Sequence, residues 1–145
     1  MRITVETPKP NEEDEIIIRC HRVDEDLMHL IHRFKERRDG ITAYQQREII
    51  KLSPKDIYYF ESVDNRVFAC CEKQVYEVKL KLYELEKTLS NGDFIRISKS
   101  VIVNLDKIKS VVPMLNCRLE AYLQNEEKII ISRQYVPQLK KALGI

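Results

Sequence analysis

Tryptophan is absent from this chain of 145 residues, glycine occurs three times and proline five times. So few flexible and helix-breaking residues exclude a disordered or low-complexity chain. The glycines, Gly40, Gly92 and Gly144, stand alone, so neither common glycine-rich phosphate loop can be built. No HExxH, GxSxG or signature Cys-His arrangement occurs. The acidic runs Glu12 to Glu15 and Asp24 to Asp26 read as solvated turns and helix starts. No catalytic residue, no cofactor and no enzymatic activity are expected. No apolar run approaches the roughly 18–20 residues that cross a bilayer. The amino terminus, Met1 to Glu6, turns polar within six residues, unlike a signal peptide. The chain is expected to be cytoplasmic, with no transmembrane segment.

The four cysteines, Cys20, Cys70, Cys71 and Cys117, contain no CxxC pair, and neighbours on a strand point to opposite faces. They read as reduced thiols, some of them buried. His29 and His32 lie one helical turn apart, yet no thiol or carboxylate motif completes a metal site. They read as surface or boundary histidines, and no metal is expected. Net charge is only +2, which excludes a polybasic protein that grips any nucleic acid. Its distribution is uneven: residues 1–40 hold 8 Lys and Arg against 10 Asp and Glu, and residues 41–145 hold 17 against 13. A basic face is therefore available only in the carboxy-terminal part.

Hydrophobic residues make up 43% of the chain, enough for one domain with a real core. Two units follow: an extension over residues 1–40 and a body over residues 41–145. The extension reads as strand, strand, helix, with strands at 2–6 and 16–18. Asp24 is the expected N-cap of a helix running to about Arg38 and closed by Gly40. Leu27, Leu30, Ile31 and Phe34 form one apolar stripe on it, which its own body or a second copy of the chain must cover. The preceding strand-like segments favour the body. Forty residues are too few for a phospho-receiver.

From Ile41 the pattern becomes period-two. Strand-like runs at 48–52, 57–61, 67–71 and 75–78 are separated by Ser53-Pro54-Lys55-Asp56, Asp64-Asn65-Arg66 and other turns. Leu82, Leu85 and Leu89 mark a short helix that Asn91-Gly92 should terminate. Residues 94–103 and 108–112 are again β-like. Residues 118–123 and 128–131 flank a hairpin turn. Ser132 is placed to cap a final helix with Val136, Leu139 and Leu143 apolar and Gly144 ending it. Short strands with tight turns predict an antiparallel meander rather than parallel βαβ units.

One stretch carries more information. Phe94-Ile95-Arg96-Ile97-Ser98-Lys99-Ser100-Val101-Ile102-Val103-Asn104-Leu105 resembles the central signature of LytTR-type DNA-binding domains: F-x-R, a polar triplet, an apolar run, then Asn. Upstream, Ile57 to Ser62 and the helix Leu82 to Leu89 agree in order and spacing. Downstream, Ile129 to Tyr135 agrees, with Leu139-Lys140 behind it. The resemblance covers roughly residues 45–145. Two positions depart from it: many members have an aromatic at Val101 and a small capping residue near Lys81.

The resemblance implies an elongated, mainly β antiparallel fold with two short helices, which reads DNA by loops. It further implies a transcriptional regulator that binds double-stranded promoter DNA as a homodimer on paired repeats. The family's base-contacting loops fall here on Asn65 and Arg66, on Lys99 in the polar triplet, and on Arg133. Arg133 presents a fork suited to guanine O6 and N7. Lys99 suits guanine or phosphate, and Ser98 and Ser100 suit phosphate oxygens. Asn104 reads as structural, and Tyr58 to Phe60 as core. The input signal is left to expression level, a ligand or an unidentified regulatory protein partner. The rival reading is a protein-interaction module on the same β scaffold with no DNA readout. Salt separates the two, because phosphate contacts weaken by orders of magnitude as salt rises.

Overall fold

The computed structural model describes residues 2–89 and 93–145. Helix α1, Glu25–Asp39, begins as the sequence predicts. Asp24 Oδ1 accepts from Leu27 N at 2.8 Å, satisfying one of the donors a helix start leaves unpaired. Gly40 closes it at φ 58° and ψ 172°, a region open essentially to glycine alone. A Cβ there would also stand 3.0 Å from the Leu52 carbonyl oxygen.

The two expected strands ahead of α1 do not form. Residues 2–6 and 16–18 join no sheet and lie exposed. Backbone in extended form is stable only with a neighbour to accept its hydrogen bonds. An isolated isoleucine triplet, cut off from residues 2–6 by Pro8, Pro10 and an acidic turn, has none. The extension is therefore unpaired chain followed by a helix, not strand, strand, helix.

The body is built from β1 (Ile41–Gln45), β2 (Glu48–Leu52), β3 (Ile57–Val63), β4 (Arg66–Cys71), β5 (Val75–Val78), α2 (Leu82–Thr88), β6 (Phe94–Arg96), β7 (Val101–Asn104), β8 (Ile108–Pro113), β9 (Leu119–Leu123), β10 (Lys128–Ile131) and α3 (Val136–Leu143). A seven-stranded sheet runs β2-β1-β5-β4-β3-β7-β6, and a three-stranded sheet runs β10-β9-β8. Every pairing is antiparallel. The fold is mainly β, as expected, but it is not a simple meander, since β1 pairs with β5 and β3 with β7.

Two cores share the large sheet. Ile57, Phe60, Val67, Ala69 and Ile102 pack with Leu82, Leu85 and Leu89 of α2 and its flank. Tyr58, Val103 and Ile97 pack with Leu119, Ala121, Leu123 and Ile131 of the small sheet and Leu139 of α3. Along β3 the sides run one, two, two, one over Ile57, Tyr58, Tyr59 and Phe60. Strict alternation forbids that order. It arises from a bulge, where the register with β4 slips between Ile57 and Tyr59, and an extra residue lets consecutive side chains share a face. The aromatic run is core, as expected. Cys70 is buried and Cys71 half-buried, while Cys20 and Cys117 are exposed. Burial pushes the Cys70 thiol up to about 11, so it is not a nucleophile near neutrality.

Local details differ from expectation at two places, and a third expectation falls where the structure is not described. The β-like stretch 94–103 is two strands, β6 and β7, folded back around Ser98-Lys99-Ser100. The expected terminator of α2, Asn91-Gly92, lies outside the described residues. Ser132 makes no side-chain cap. Instead a single 3₁₀ turn over Arg133–Tyr135 leads into α3, where Pro137 sits in the first turn; its fixed φ favours a helix start. Gly144, left-handed at φ 75°, ends α3 as predicted.

Asn104 ends β7 as the one buried polar residue among the described residues, 2% exposed. Its Nδ2 donates to the Ile57 carbonyl at 2.9 Å and its Oδ1 accepts from Asp106 N at 3.0 Å. Asn104→Leu strands both backbone groups, and buried unsatisfied groups cost about 1–3 kcal/mol each. Chemical denaturation of this variant should show a loss of that order, and an unchanged midpoint would contradict the structural role.

Candidate nucleic-acid interface

The six candidate residues sit on three loops, and backbone hydrogen bonds join those loops in series. Ser62 N, at the end of β3, donates to the Ser100 carbonyl at 2.8 Å. Ser132 N, just past β10, donates to the Ile97 carbonyl at 2.9 Å. Residues 64–66, 98–100 and 132–133 are thus held beside one another although up to 69 positions apart in sequence.

The first loop is the two-residue turn between β3 and β4. Asp64 and Asn65 both take positive φ, 50° and 63°, the pairing of a tight hairpin turn that matches strand twist. Asn and Asp tolerate that region better than other side chains, so Asn65 has a conformational role as well as an exposed amide. Arg66 is engaged elsewhere. Its guanidinium donates to both carboxylate oxygens of Glu77, at 2.9 and 2.7 Å, and lies over the Phe68 ring. That fork, by hydrogen bond and charge, holds the Glu77 carboxyl below the usual carboxylate range. Arg66 is the least available of the six.

The second loop, Ser98 to Ser100, turns between β6 and β7. Lys99 is exposed and the two serines are half-buried. Ser98 Oγ accepts from Ser100 N at 3.2 Å and lies 3.5 Å from Ser100 Oγ. The serines therefore shape the loop as well as lining it.

Sequence reasoning missed the residue that fixes this loop. Arg96 points its planar guanidinium into the turn, where Nε donates to the Ser98 carbonyl at 2.7 Å and Nη2 to the Lys99 carbonyl. Nη1 pairs with Glu86 on α2. The Arg96 side chain is only 20% exposed. One cation thus satisfies two loop carbonyls that no strand partner reaches, and a helix carboxylate neutralises it. The F-x-R element was visible as a pattern, but nothing local indicated that its arginine turns back onto carbonyls two and three residues ahead.

The third loop carries Arg133, exposed at the first position of the 3₁₀ turn. Among the described residues neither Lys99 nor Arg133 has an ion-pair partner. Two unneutralised cations stand on joined loops, beside an exposed Asn65. No pair of titratable groups suited to acid-base chemistry lies among these six residues, and no group of three metal-ligating side chains occurs among the described residues.

This arrangement is that of a β domain whose three polar loops are joined by backbone hydrogen bonds. The chain matches the family model of the LytTr DNA-binding domain over residues 47–144. It belongs to the LytTR DNA-binding domain family. It is 32% identical over 143 residues to uncharacterised HTH-type transcriptional regulators of Staphylococcus aureus strains COL and MSSA476, covering 99% of this chain and 89% of each relative. A solved LytTr DNA-binding domain from Bacillus cereus superposes with a TM-score of 0.70 at 26% identity, covering 74% of this chain and 99% of that one. The relatives' names speak of a helix-turn-helix, yet here α2 and α3 are separated by five strands, with no adjacent helix pair among the described residues. No helix among them is long and apolar enough to cross a membrane.

The departure at Lys81 is legible in the structure. Lysine has no acceptor to cap α2, and the Glu84 carboxylate reaches back to Lys81 N at 3.3 Å instead, giving half of a capping box. The Arg96 clamp yields a direct test. Arg96→Lys keeps the charge but cannot donate to two carbonyls from one rigid plane. Amide hydrogen exchange of residues 98–101 should accelerate, and stability should fall by about 1.5–3 kcal/mol, the range for hydrogen bonds to a charged group. Exchange as slow as in the wild type would show that Arg96 does not hold the loop.

Proposed function

We propose that this protein is a sequence-specific transcriptional regulator that reads double-stranded promoter DNA through the three joined loops, two subunits occupying paired repeats. The observation that carries the reading is the pair of backbone hydrogen bonds from Ser62 to Ser100 and from Ser132 to Ile97. It gathers Asn65, Lys99 and Arg133 from distant parts of the chain, with both cations free of ion-pair partners among the described residues. Membership of a DNA-binding family and relatives named as transcriptional regulators support the same reading.

The roles divide by chemistry. Arg133 reads a base edge, its fork matched to guanine O6 and N7. Lys99 contacts guanine or phosphate, Ser98 and Ser100 face phosphate oxygens, and Asn65 offers an amide with both donor and acceptor capacity. Arg66 contributes less, because a bidentate carboxylate already occupies it.

The test is binding to a selected target and to scrambled DNA at several salt concentrations, with thermal melts alongside. Arg133→Ala should cost about 1–3 kcal/mol on the preferred sequence and relax selectivity at one position. Lys99→Ala should either do likewise or weaken all sequences equally and reduce the salt slope by about one. Both should melt within about 0.5 kcal/mol of wild type, as exposed substitutions usually do. Normal melting with wild-type binding to both DNAs would reject the reading and favour a protein-interaction module.

A further inference from the structure

Helix α1 leaves its apolar stripe uncovered. Leu30 is 44% and Phe34 41% exposed, and Met28 on the neighbouring face is 40% exposed. Leu27 and Ile31 are half-buried, but none of these residues joins either core of the body. The stripe is therefore not covered by the body, against the expectation drawn from the strand-like segments ahead of it, which do not form. An isolated helix of about this length is marginal in water and takes its stability from packing of an apolar face. Something must cover it.

The charge along the helix identifies what. Its first turn is acidic, with Asp24 as cap followed by Glu25 and Asp26. Its carboxy-terminal half holds Arg33, Lys35, Arg37 and Arg38 against Glu36 and Asp39, and is basic on balance. Parallel association of two copies would set acid against acid and base against base. Antiparallel association sets each acidic end against a basic end. A two-fold axis between positions 30 and 31 places position 27 opposite 34 and position 30 opposite 31, so the whole stripe meets itself. The same axis brings positions 24 and 26 near 33, 35 and 37 of the other helix. Glu25 and Glu36 fall opposite each other in this register, but the net charges of the facing ends are opposite only in the antiparallel orientation.

We infer that α1 is a homodimerisation helix, pairing antiparallel with α1 of a second copy through Leu27, Leu30, Ile31 and Phe34, with the acidic amino-terminal turn of each helix facing the basic carboxy-terminal half of the other. Such a contact is isologous and closes at two subunits. It lies outside residues 47–144, the span of the DNA-binding family match. The inference does not use the DNA-binding reading and is tested without DNA.

The experiment is sedimentation equilibrium of the full chain at micromolar concentration, with circular dichroism melts. Wild type should be a dimer. The double variant Leu30→Glu, Phe34→Glu should dimerise roughly 100-fold or more weakly, since four apolar side chains leave the contact, while its β spectrum and melt are retained. Asp26→Arg alone and Arg33→Glu with Arg37→Glu should each weaken dimers roughly three- to tenfold. An equimolar mixture of those two charge variants should recover heterodimers. A monomeric wild type overturns the inference, as does a dimer unaffected by the apolar double variant. Collapse of the β melt in that variant also overturns it, by showing that the stripe packs on the body. A mixture that fails to recover dimers overturns the antiparallel orientation.

Discussion

The strand pair β3 and β7 is buried on both faces, and the rest of the body is arranged around that constraint. Ile57, Phe60 and Ile102 face the core under α2, whereas Tyr58, Tyr59, Val101 and Val103 face the small sheet and α3. A ribbon apolar on both faces needs two covers, and each cover supplies one part of the candidate interface. The α2 side supplies Glu86, which neutralises Arg96. The small-sheet side supplies Ser132, whose amide ties the Arg133 loop to Ile97.

Because both cores meet at β7, the loop at its start is fixed from two directions. Arg96 holds the carbonyls of Ser98 and Lys99 from one side. The Ser62 and Ser132 amides hold the carbonyls of Ser100 and Ile97. Four consecutive loop carbonyls are thereby satisfied by groups from three separate segments. A loop held this way loses little entropy on meeting a ligand, which suits contacts made from a rigid frame. Such rigidity also explains why Ser98 and Asn104, polar in a sheet setting, are tolerated: each satisfies backbone groups left open nearby.

The amino-terminal forty residues obey different physics. The body buries its apolar residues by pairing strands, most of them neighbours in sequence and two pairs distant, β1 with β5 and β3 with β7. The extension has no strand neighbour and offers its apolar face outward. Charge ordering along α1 doubles as a dipole match, acidic at the start and basic at the end. That local rule makes the helix legible, and it also gives the helix a polarity that two copies can exploit.

Sequence alone determined the short-range features of this protein. The Asp24 cap, the Gly40 and Gly144 stops, the hairpin turns and the helices α1 and α2 all follow from residues within one or two turns of one another, where capping and φ preferences act. The block order around Phe94 to Leu105 made the family legible, and with it the three candidate loops. Tertiary structure decided what depends on distant partners. It withheld sheets from residues 2–6 and 16–18, because extended backbone needs a neighbour and none was available. It split residues 94–103 into a hairpin and placed both Tyr58 and Tyr59 on one side through a bulge that no period-two pattern predicts. It took Arg66 out of the free cations by setting Glu77 opposite, and turned Arg96 into the clamp of the Lys99 loop. Hydrogen bonds and ion pairs act over about 3 Å in space, so which charge is neutralised and which stands free is set by the fold that brings strands together, not by the order of residues along the chain.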